Sequence, residues 1–320
     1  MKAIVVREVG PPEVMKFEEA PKPEPKAGEV LVKVHAIGVN PVECYIRSGN
    51  YPSVPPLPFT PGKDAAGVVE SIGKGVDRWA VGDRVYTANS VTGTYAEFSV
   101  VKEADLGRLP ENTGFETGAG IWTPYATSYR ALFHKLKVKA GETVLVHGAS
   151  GGVGIAAIQW AKNAGLNVIG TASTEKGKRL AAEQGADAVF DHSKDGYLKE
   201  ILEFTNGAGV EAIVEMLANV NLAKDFEALR MFGRICIVGN RGSLEFNPRL
   251  IMGKDATVTG MGLFNSSYED RDEFHKAIFH GLSSEALMPV IGRSLPLAEA
   301  VAAHHAIMEE KAAGKIVLVP

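Results

Sequence analysis

The sequence predicts an α/β protein that combines a doubly wound parallel sheet with a smaller β-rich domain. The first observation is an apolar run over 144–146 that breaks into a glycine-dense turn and resumes as a helical pattern at Ile155. The second is a change of sequence pattern, because short β-type runs fill residues 1–110, whereas strand and helix patterns alternate from about Ile121. The third is length, since 320 residues exceed one ordinary core and favour two domains.

Composition and charge narrow the classes of function. Hydrophobic residues make up 45% of the chain, and the net charge of −4 argues against a nucleic-acid-binding surface as the main function. The two cysteines, Cys44 and Cys236, show no metal-ligand spacing, so neither a disulfide framework nor a structural zinc is expected. No apolar run reaches the roughly 18–20 residues of a membrane span, and the N-terminus is unlike a signal peptide. We therefore expect a cytoplasmic protein.

The first 110 residues carry short apolar or alternating runs separated by turn residues, as in a β-rich domain. The expected strands are 3–6, 29–36, 67–72, 84–87 and 95–100. A proline-rich segment over 52–61 interrupts them and predicts a rigid connection.

Six strand patterns then alternate with helical ones, which is typical of a parallel sheet buried on both faces. The expected strands are 144–147, 167–171, 188–190, 212–216, 233–238 and 257–261. The expected helices are 152–164, 175–184, 197–204 and 221–231. Two further helices, 268–281 and 297–313, precede a terminal strand over 315–319. This tail is too short for a domain of its own, so we expect it to return to the N-terminal domain.

The glycine-dense turn follows the first of the six strands and reads Gly148-x-x-Gly151-x-x-Gly154. A strand that turns into a helix in this way directs backbone N–H groups and the helix dipole at one point, which suits a pyrophosphate. The expected donors are the N–H groups of Ser150, Gly151, Gly152 and Val153. The turn alone could also be a plain connection, but its place in the strand–helix alternation favours a dinucleotide site.

The residues after the second strand favour NADPH over NADH. An NAD-preferring fold places a carboxylate about 20 residues after the glycines, whereas this strand ends in small hydroxylic residues that include Ser173. Glu175 lies 175 − 154 = 21 residues past Gly154, but it falls at the expected start of a helix and is followed by Lys176. Acidic residues are common at helix starts because they interact favourably with the dipole.

Motif blocks spread along the chain resemble the zinc-free, zeta-crystallin-like quinone reductases of the medium-chain dehydrogenase/reductase superfamily. The blocks are 39–43, 45–49, 60–62, 82–85, 146–154, 215–222 and 238–242. The resemblance implies a GroES-like catalytic domain over 1–124 and 265–320 and a Rossmann domain over 125–264. It also implies an active-site cleft between the domains and a homodimer or homotetramer.

The resemblance further implies which residues contact NADPH. Beyond the glycine turn, the implied cofactor residues are Asn40, Tyr45, Thr127, Ser173, Lys176, His192, Asn221, Val238, Gly239, Asn240, Arg241, Met261, Gly262 and Leu263. Asn40 and Tyr45 are also the expected groups nearest the substrate.

Zinc-dependent relatives place metal ligands at three positions that here hold Asn40, Lys63 and Thr123. Asparagine and threonine are poor zinc ligands and a lysine ammonium has no lone pair, so no metal is expected. Without that Lewis acid, the resemblance implies hydride transfer from NADPH to an electrophilic acceptor, and no catalytic acid or base is assigned. The acceptor is a quinone or, as an alternative, a 2-alkenal or enone. A non-catalytic crystallin-like or RNA-binding role is less favoured because the cofactor turn is intact.

Overall fold

A computed structural model describes residues Met1–Pro320, which divide into two compact units. The first, here called the β-rich unit, comprises Met1–Thr123 and His275–Pro320. The second, here called the parallel-sheet unit, comprises Pro124–Phe274. The first division falls beside the expected one after residue 124, while the second lies later than the expected 264/265. Residues up to Phe274 belong with the parallel-sheet unit because the Phe274 ring packs on Tyr129, with ring centroids 5.5 Å apart.

Strands and helices follow one another along the chain as the sequence broadly predicts. The strands are β1 (Lys2–Val6), β2 (Met15–Glu19), β3 (Glu29–Gly38), β4 (Asp64–Ile72), β5 (Arg84–Thr87), β6 (Phe98–Lys102), β7 (Leu106–Arg108), β8 (Thr143–Val146), β9 (Asn167–Thr171), β10 (Ala188–Phe190), β11 (Val210–Glu215), β12 (Leu229–Ile237), β13 (Thr257–Gly260), β14 (Ile291–Pro296) and β15 (Lys315–Val319). The α-helices are α1 (Pro41–Arg47), α2 (Phe115–Ala119), α3 (Trp122–Tyr129), α4 (Gly152–Asn163), α5 (Glu175–Glu183), α6 (Tyr197–Phe204), α7 (Ala218–Asp225), α8 (Arg249–Lys254), α9 (Tyr268–Ser283) and α10 (Ala300–Glu309).

The β-rich unit is built on a seven-stranded sheet in the order β14-β15-β3-β4-β5-β7, with β6 also paired to β3. The long strand β3 pairs antiparallel with β4, β6 and β15. Its inward residues, among them Val30, Val32 and Ile37, are fully buried in two apolar clusters. Because β15 lies beside β3, the expected return of the C-terminal tail to this domain is confirmed.

The parallel-sheet unit contains one six-stranded sheet in the order β10-β9-β8-β11-β12-β13, and every neighbouring pair is parallel. This confirms the doubly wound sheet. The apolar run Val144–Val146 is fully buried in the central strand β8, as expected of a strand covered on both faces. Chain connections leave β8 toward β9 on one side, while β11 lies on the other side. A doubly wound sheet opens a ligand crevice at such a switch point, at the carboxyl ends of the strands.

One expected helix is wrong. The segment 221–231 was expected to be helical, but α7 ends at Asp225 and β12 begins at Leu229. Leu229 pairs with Val210 of β11, and its burial in the sheet core outweighs the local helical pattern. Gly233 consequently lies inside β12. The sequence patterns also do not predict the helices α1, α2, α3 and α8 or the strands β2, β7 and β14.

No helix of the chain combines the length and the apolar character needed to cross a bilayer.

Candidate functional site

The turn after β8 has the backbone geometry of a phosphate-binding turn. Gly148 has a φ of +59°, and Gly151, the N-cap residue immediately before α4, has an extended conformation. A Cβ atom on Gly154 would lie 2.3 Å from the carbonyl oxygen of Gly148, so only glycine lets the helix approach the turn this closely. The first N–H groups of α4 therefore face the position that the dipole makes attractive for an anion.

One detail of the expected pyrophosphate contact is not supported. The Gly151 N–H donates to the Gly148 carbonyl at 3.0 Å, which commits it inside the turn. This bond closes the tight turn that brings α4 against β8. The first-turn residues of α4, Gly152 and Val153, are half-buried and remain the better positioned donors.

Backbone hydrogen bonds hold the segments that follow the strands side by side at the carboxyl edge of the sheet. The Ala149 N–H donates to the Thr171 carbonyl at 2.9 Å, and the Ala218 N–H donates to the Gly239 carbonyl at 3.0 Å. Because all six strands are parallel, the expected cofactor segments of this unit follow strand ends along the same edge of the sheet, from β10 to β13. They are Ser150, Gly151, Gly152, Val153, Ser173, His192, Asn221, Val238, Gly239, Asn240, Arg241, Met261, Gly262 and Leu263.

The segment after β9 is arranged around the start of α5. The Thr174 Oγ1 accepts a hydrogen bond from the Gly177 N–H at 3.0 Å, as a helix N-cap does. Glu175 is exposed and its carboxylate lies 2.6 Å from the Lys178 Nζ. A Cβ atom on Gly177 would lie 3.0 Å from the Ser150 Oγ, so this helix start sits against the glycine turn. Lys176 is exposed on the same helix turn.

Side chains hydrogen-bond to the backbone of the later expected cofactor segments. The Arg241 N–H donates to the Asn219 Oδ1 at 2.9 Å, and the Arg130 guanidinium donates to the carbonyls of Gly262 and Asn265. Thr127 is buried on α3. Asn40 and Tyr45 belong to the β-rich unit, so their expected contacts with the cofactor stay predictions.

A buried polar cluster surrounds Asn40 in the β-rich unit. The Asp64 carboxylate accepts hydrogen bonds from the Asn40 Nδ2 at 3.1 Å and from the Thr123 hydroxyl at 2.7 Å. The Lys315 ammonium donates to the Asn40 Oδ1 and lies 3.9 Å from the Asp64 Oδ2. The Asn40 N–H donates to the Glu43 carboxylate at 2.6 Å. Both ends of the Asn40 amide therefore have partners within its own unit.

The three positions of the zinc ligands in relatives do not form one set here. Asn40 and Thr123 both hydrogen-bond to Asp64, whereas the Lys63 ammonium donates to the Asn89 Oδ1 at 2.7 Å. Burial raises the pKa of Asp64 and lowers the pKa of Lys315, and their opposite charges oppose both shifts. This donor set, with its own ammonium, suits a closed hydrogen-bonded cluster rather than a metal site.

Several buried ionisable groups in the two units were not predicted from the sequence. In the β-rich unit they are Glu43, Asp64 and Lys315, and burial together with the neighbouring Asp64 raises the pKa of Glu43 to about 7. In the parallel-sheet unit they are His147, Glu215 and Asp225. The available signal was an ionisable residue at the end of an apolar strand, as in Val144–Val146 followed by His147.

The β-rich unit also contains a cavity of about 570 Å³. Its lining combines apolar residues, among them Ile46, Pro58, Phe59 and Val91, with the charged residues Arg7, Glu18, Glu19, Glu43 and Lys63. Its volume is in the range of small-molecule sites, and the apolar part of the lining offers a surface for a flat ring.

Comparison with known proteins agrees with this architecture. A family model described as the alcohol dehydrogenase GroES-like domain matches residues 26–136, and one described as zinc-binding dehydrogenase matches residues 152–279. The human quinone oxidoreductase is 46% identical, with 99% of this chain and 97% of the relative covered. A 2-haloacrylate reductase from a Burkholderia species is 30% identical, with 99% and 98% covered.

Solved structures give the same result. The Escherichia coli quinone oxidoreductase, solved in complex with NADPH, superimposes with a TM-score of 0.92 at 30% identity, and all of both chains is covered. The sheet order, the two matched domains and the full-length identity together show that this chain belongs to the quinone oxidoreductase family of the medium-chain dehydrogenase/reductase superfamily.

Proposed function

We propose that this chain is an NADPH-dependent quinone oxidoreductase. The observation that carries the proposal is the close approach of α4 to the turn after β8, which only a glycine at 154 allows. Membership of a family whose relatives are quinone oxidoreductases, one of them solved with NADPH, supports the same activity.

The residues at the carboxyl edge of the sheet fit a dinucleotide with a 2′-phosphate. The N–H groups of Gly152 and Val153 would hold the pyrophosphate at the positive end of α4. Ser173 and Lys176 would contact the 2′-phosphate. The Glu175 carboxylate pairs with the Lys178 ammonium, so it does not occupy the position of the ribose 2′-phosphate.

NADPH, when bound, supplies a hydride to an acceptor that is already electrophilic. The protein's part is then to orient the two reactants. Hydride transfer to a quinone leaves a hydroquinone anion that takes its proton from solvent, so the step needs no acid or base from the chain. The cavity of the β-rich unit, with Ile46 and Phe59 in its wall, offers an apolar surface for a flat quinone ring. We assign no catalytic residue.

A 2-alkenal or enone is the second candidate acceptor. The observation in its favour is the full-length similarity to a 2-haloacrylate reductase, whose substrate by name carries a double bond conjugated to a carboxylate. A conjugated carbonyl is as flat as a quinone and accepts a hydride in the same way.

The direct test is oxidation of NADPH by the purified protein with 9,10-phenanthrenequinone, compared with a 2-alkenal and with NADH as the alternative cofactor. We expect turnover with the quinone and NADPH. Turnover with the alkenal alone would identify an enone reductase. Tight NADPH binding without turnover on either acceptor would support the non-catalytic, crystallin-like or RNA-binding role, and equal affinity for NADH would refute the cofactor preference.

We also propose a cytoplasmic homodimer or homotetramer. In support, β13 pairs only with β12 and stands at the edge of its sheet, where a second copy could add a strand. Mass measurement in solution tests the assembly, since a monomer at micromolar concentration would refute it, and fractionation of the source cells tests the compartment.

A further inference from the structure

Three ionisable side chains lie completely buried beneath the expected cofactor site. His147 follows β8, Glu215 ends β11 and Asp225 ends α7. Their side chains are 2%, 0% and 0% exposed. The His147 Nε2 lies 2.9 Å from the Asp225 Oδ1 and 3.5 Å from the Glu215 Oε2.

One oxygen of each carboxyl group and a ring nitrogen of His147 all lie within 4.8 Å of one another. Two ionised carboxylates buried this close together would repel each other, so burial favours one proton on the pair. The Glu215 Oε1 already accepts from the Leu217 N–H and, at 3.2 Å, from the Asn221 Nδ2. The Asp225 Oδ1 accepts from the His147 Nε2–H. The Glu215 Oε2 and the Asp225 Oδ2 are buried and accept no hydrogen bond from the chain, so they are the oxygens that can carry this proton.

The hydrogen bonds continue from His147 toward the other side of the sheet edge. With Nε2 as its donor, a neutral His147 accepts at Nδ1 from the Thr171 hydroxyl, 3.2 Å away. The Thr171 Oγ1 in turn accepts from the His192 Nδ1–H at 3.2 Å and from the Gly148 N–H at 3.3 Å. One chain of donors and acceptors thus joins Asn221, His192 and the glycine turn through the buried cluster.

Loss of that proton would leave two buried anions facing each other, although the Leu217, Asn221 and His147 donors would keep their acceptors. Burial raises the pKa of Glu215 and of Asp225 to about 7 and lowers the pKa of His147. Two other titratable side chains approach the cluster: His192, which reaches it through the Thr171 hydroxyl, and Tyr197 of α6, whose ring lies edge-on to His147 with centroids 6.3 Å apart. The pKa of Tyr197 is raised by burial and by the negative charges of Asp225, Glu215 and Glu227, so it stays neutral and supplies no cation.

We infer that His147, Glu215 and Asp225 are positioning residues for the cofactor, because the proton on the carboxyl pair removes the repulsion between the groups whose hydrogen bonds hold Asn221, His192 and the glycine turn. Above neutral pH the cluster loses this proton, two buried anions face each other, and the loop from Glu215 to Asn221 loosens. This role rests on the proposed function, since it takes Asn221 and His192 as cofactor contacts.

The test compares NADPH affinity of the wild type and of Glu215→Gln between pH 6 and pH 9. The wild-type Kd should rise about tenfold across this range, the scale of one buried hydrogen bond lost. The glutamine amide donates permanently to Asp225 and still accepts from Leu217 and Asn221, so the variant's Kd should stay constant. Ionisation of the NADPH phosphate affects both proteins equally and cancels in the comparison.

The matched control is Glu211→Gln on the same strand. The Glu211 carboxylate is partly exposed and pairs with Arg230, so this change removes a charge without touching the cluster, and its pH profile should match the wild type. Equal pH profiles for the wild type and Glu215→Gln would overturn the inference. A stoichiometric metal in the purified protein, measured by mass spectrometry and lost in Glu215→Gln, would also overturn it, since a cation would then take the proton's place.

A measurement on the cofactor-free protein distinguishes failure of this inference from failure of the proposed function. The thermal unfolding midpoint of the cofactor-free wild type should fall from pH 6 to pH 9 by more than that of Glu215→Gln. If the wild type binds NADPH at no pH, the proposed function and the positioning role both fail, while the difference in unfolding still decides whether the carboxyl pair holds a proton.

Discussion

Substitution of Gly154 by alanine should damage both the fold and the cofactor site. The added Cβ would lie 2.3 Å from the Gly148 oxygen and 2.7 Å from the Ala149 Cα. An ordinary carbon–oxygen contact is about 3.3 Å or more, so the turn or the helix must move by about 1 Å. Overpacking of this kind costs about 1–3 kcal/mol, against which alanine regains about 1 kcal/mol of helix propensity.

The expected result is a lower free energy of unfolding and an NADPH affinity reduced by about 10- to 100-fold, equivalent to about 1.4–2.8 kcal/mol. Urea unfolding of the cofactor-free protein and titration calorimetry with NADPH measure the two effects separately. The matched control is Gly253→Ala in α8, where a Cβ meets nothing within 4 Å. That change should be neutral or stabilising. A Gly154→Ala protein as stable as the control, with the wild-type Kd, would refute the close-approach argument.

Three further predictions concern charges. Lys176→Ala should weaken NADPH binding about tenfold and leave NADH binding unchanged, because a charge-assisted bond of about 1.5–3 kcal/mol is lost; an equal loss for both cofactors would contradict it. Lys315→Met should lower the free energy of unfolding by about 3 kcal/mol or more in urea, because it leaves the Asp64 carboxylate buried without its cation. Glu43, whose pKa burial raises to about 7, contributes stability that is complete below about pH 4.5 and lost as the pH rises through about 7. Glu43→Gln should therefore flatten the fall of the unfolding midpoint between pH 5 and pH 8, and an unchanged slope would show that the carboxyl does not titrate there.

Much of the fold follows from local patterns. The strands Asn167–Thr171 and Ala188–Phe190 and the helix Tyr197–Phe204 have the bounds that periodicity predicts. The exception is instructive, because 221–231 has a helical pattern over its whole length. Its last three residues, 229–231, belong to β12, since Leu229 gains more from burial beside Val210 than the helix would gain by continuing.

The sequence by itself determined the two-domain α/β architecture, the turn at Gly148–Gly154 and the hydroxylic strand end at Ser173. Each of these features is encoded by residues close together in the chain, because glycine spacing, apolar runs and turn residues determine structure over only a few positions. Resemblance to known reductases added the more distant cofactor residues.

Only the tertiary structure decided which buried charges meet. His147, Glu215 and Asp225 are separated by 68 and 10 residues, and Asn40 and Lys315 by 275, yet each set lies within hydrogen-bonding reach. No local pattern encodes such pairs, because they form only when strands distant in sequence become neighbours in a sheet. Burial then makes an unpaired charge costly, and that cost is what places a proton on a pair of carboxyl groups and an ammonium beside Asp64.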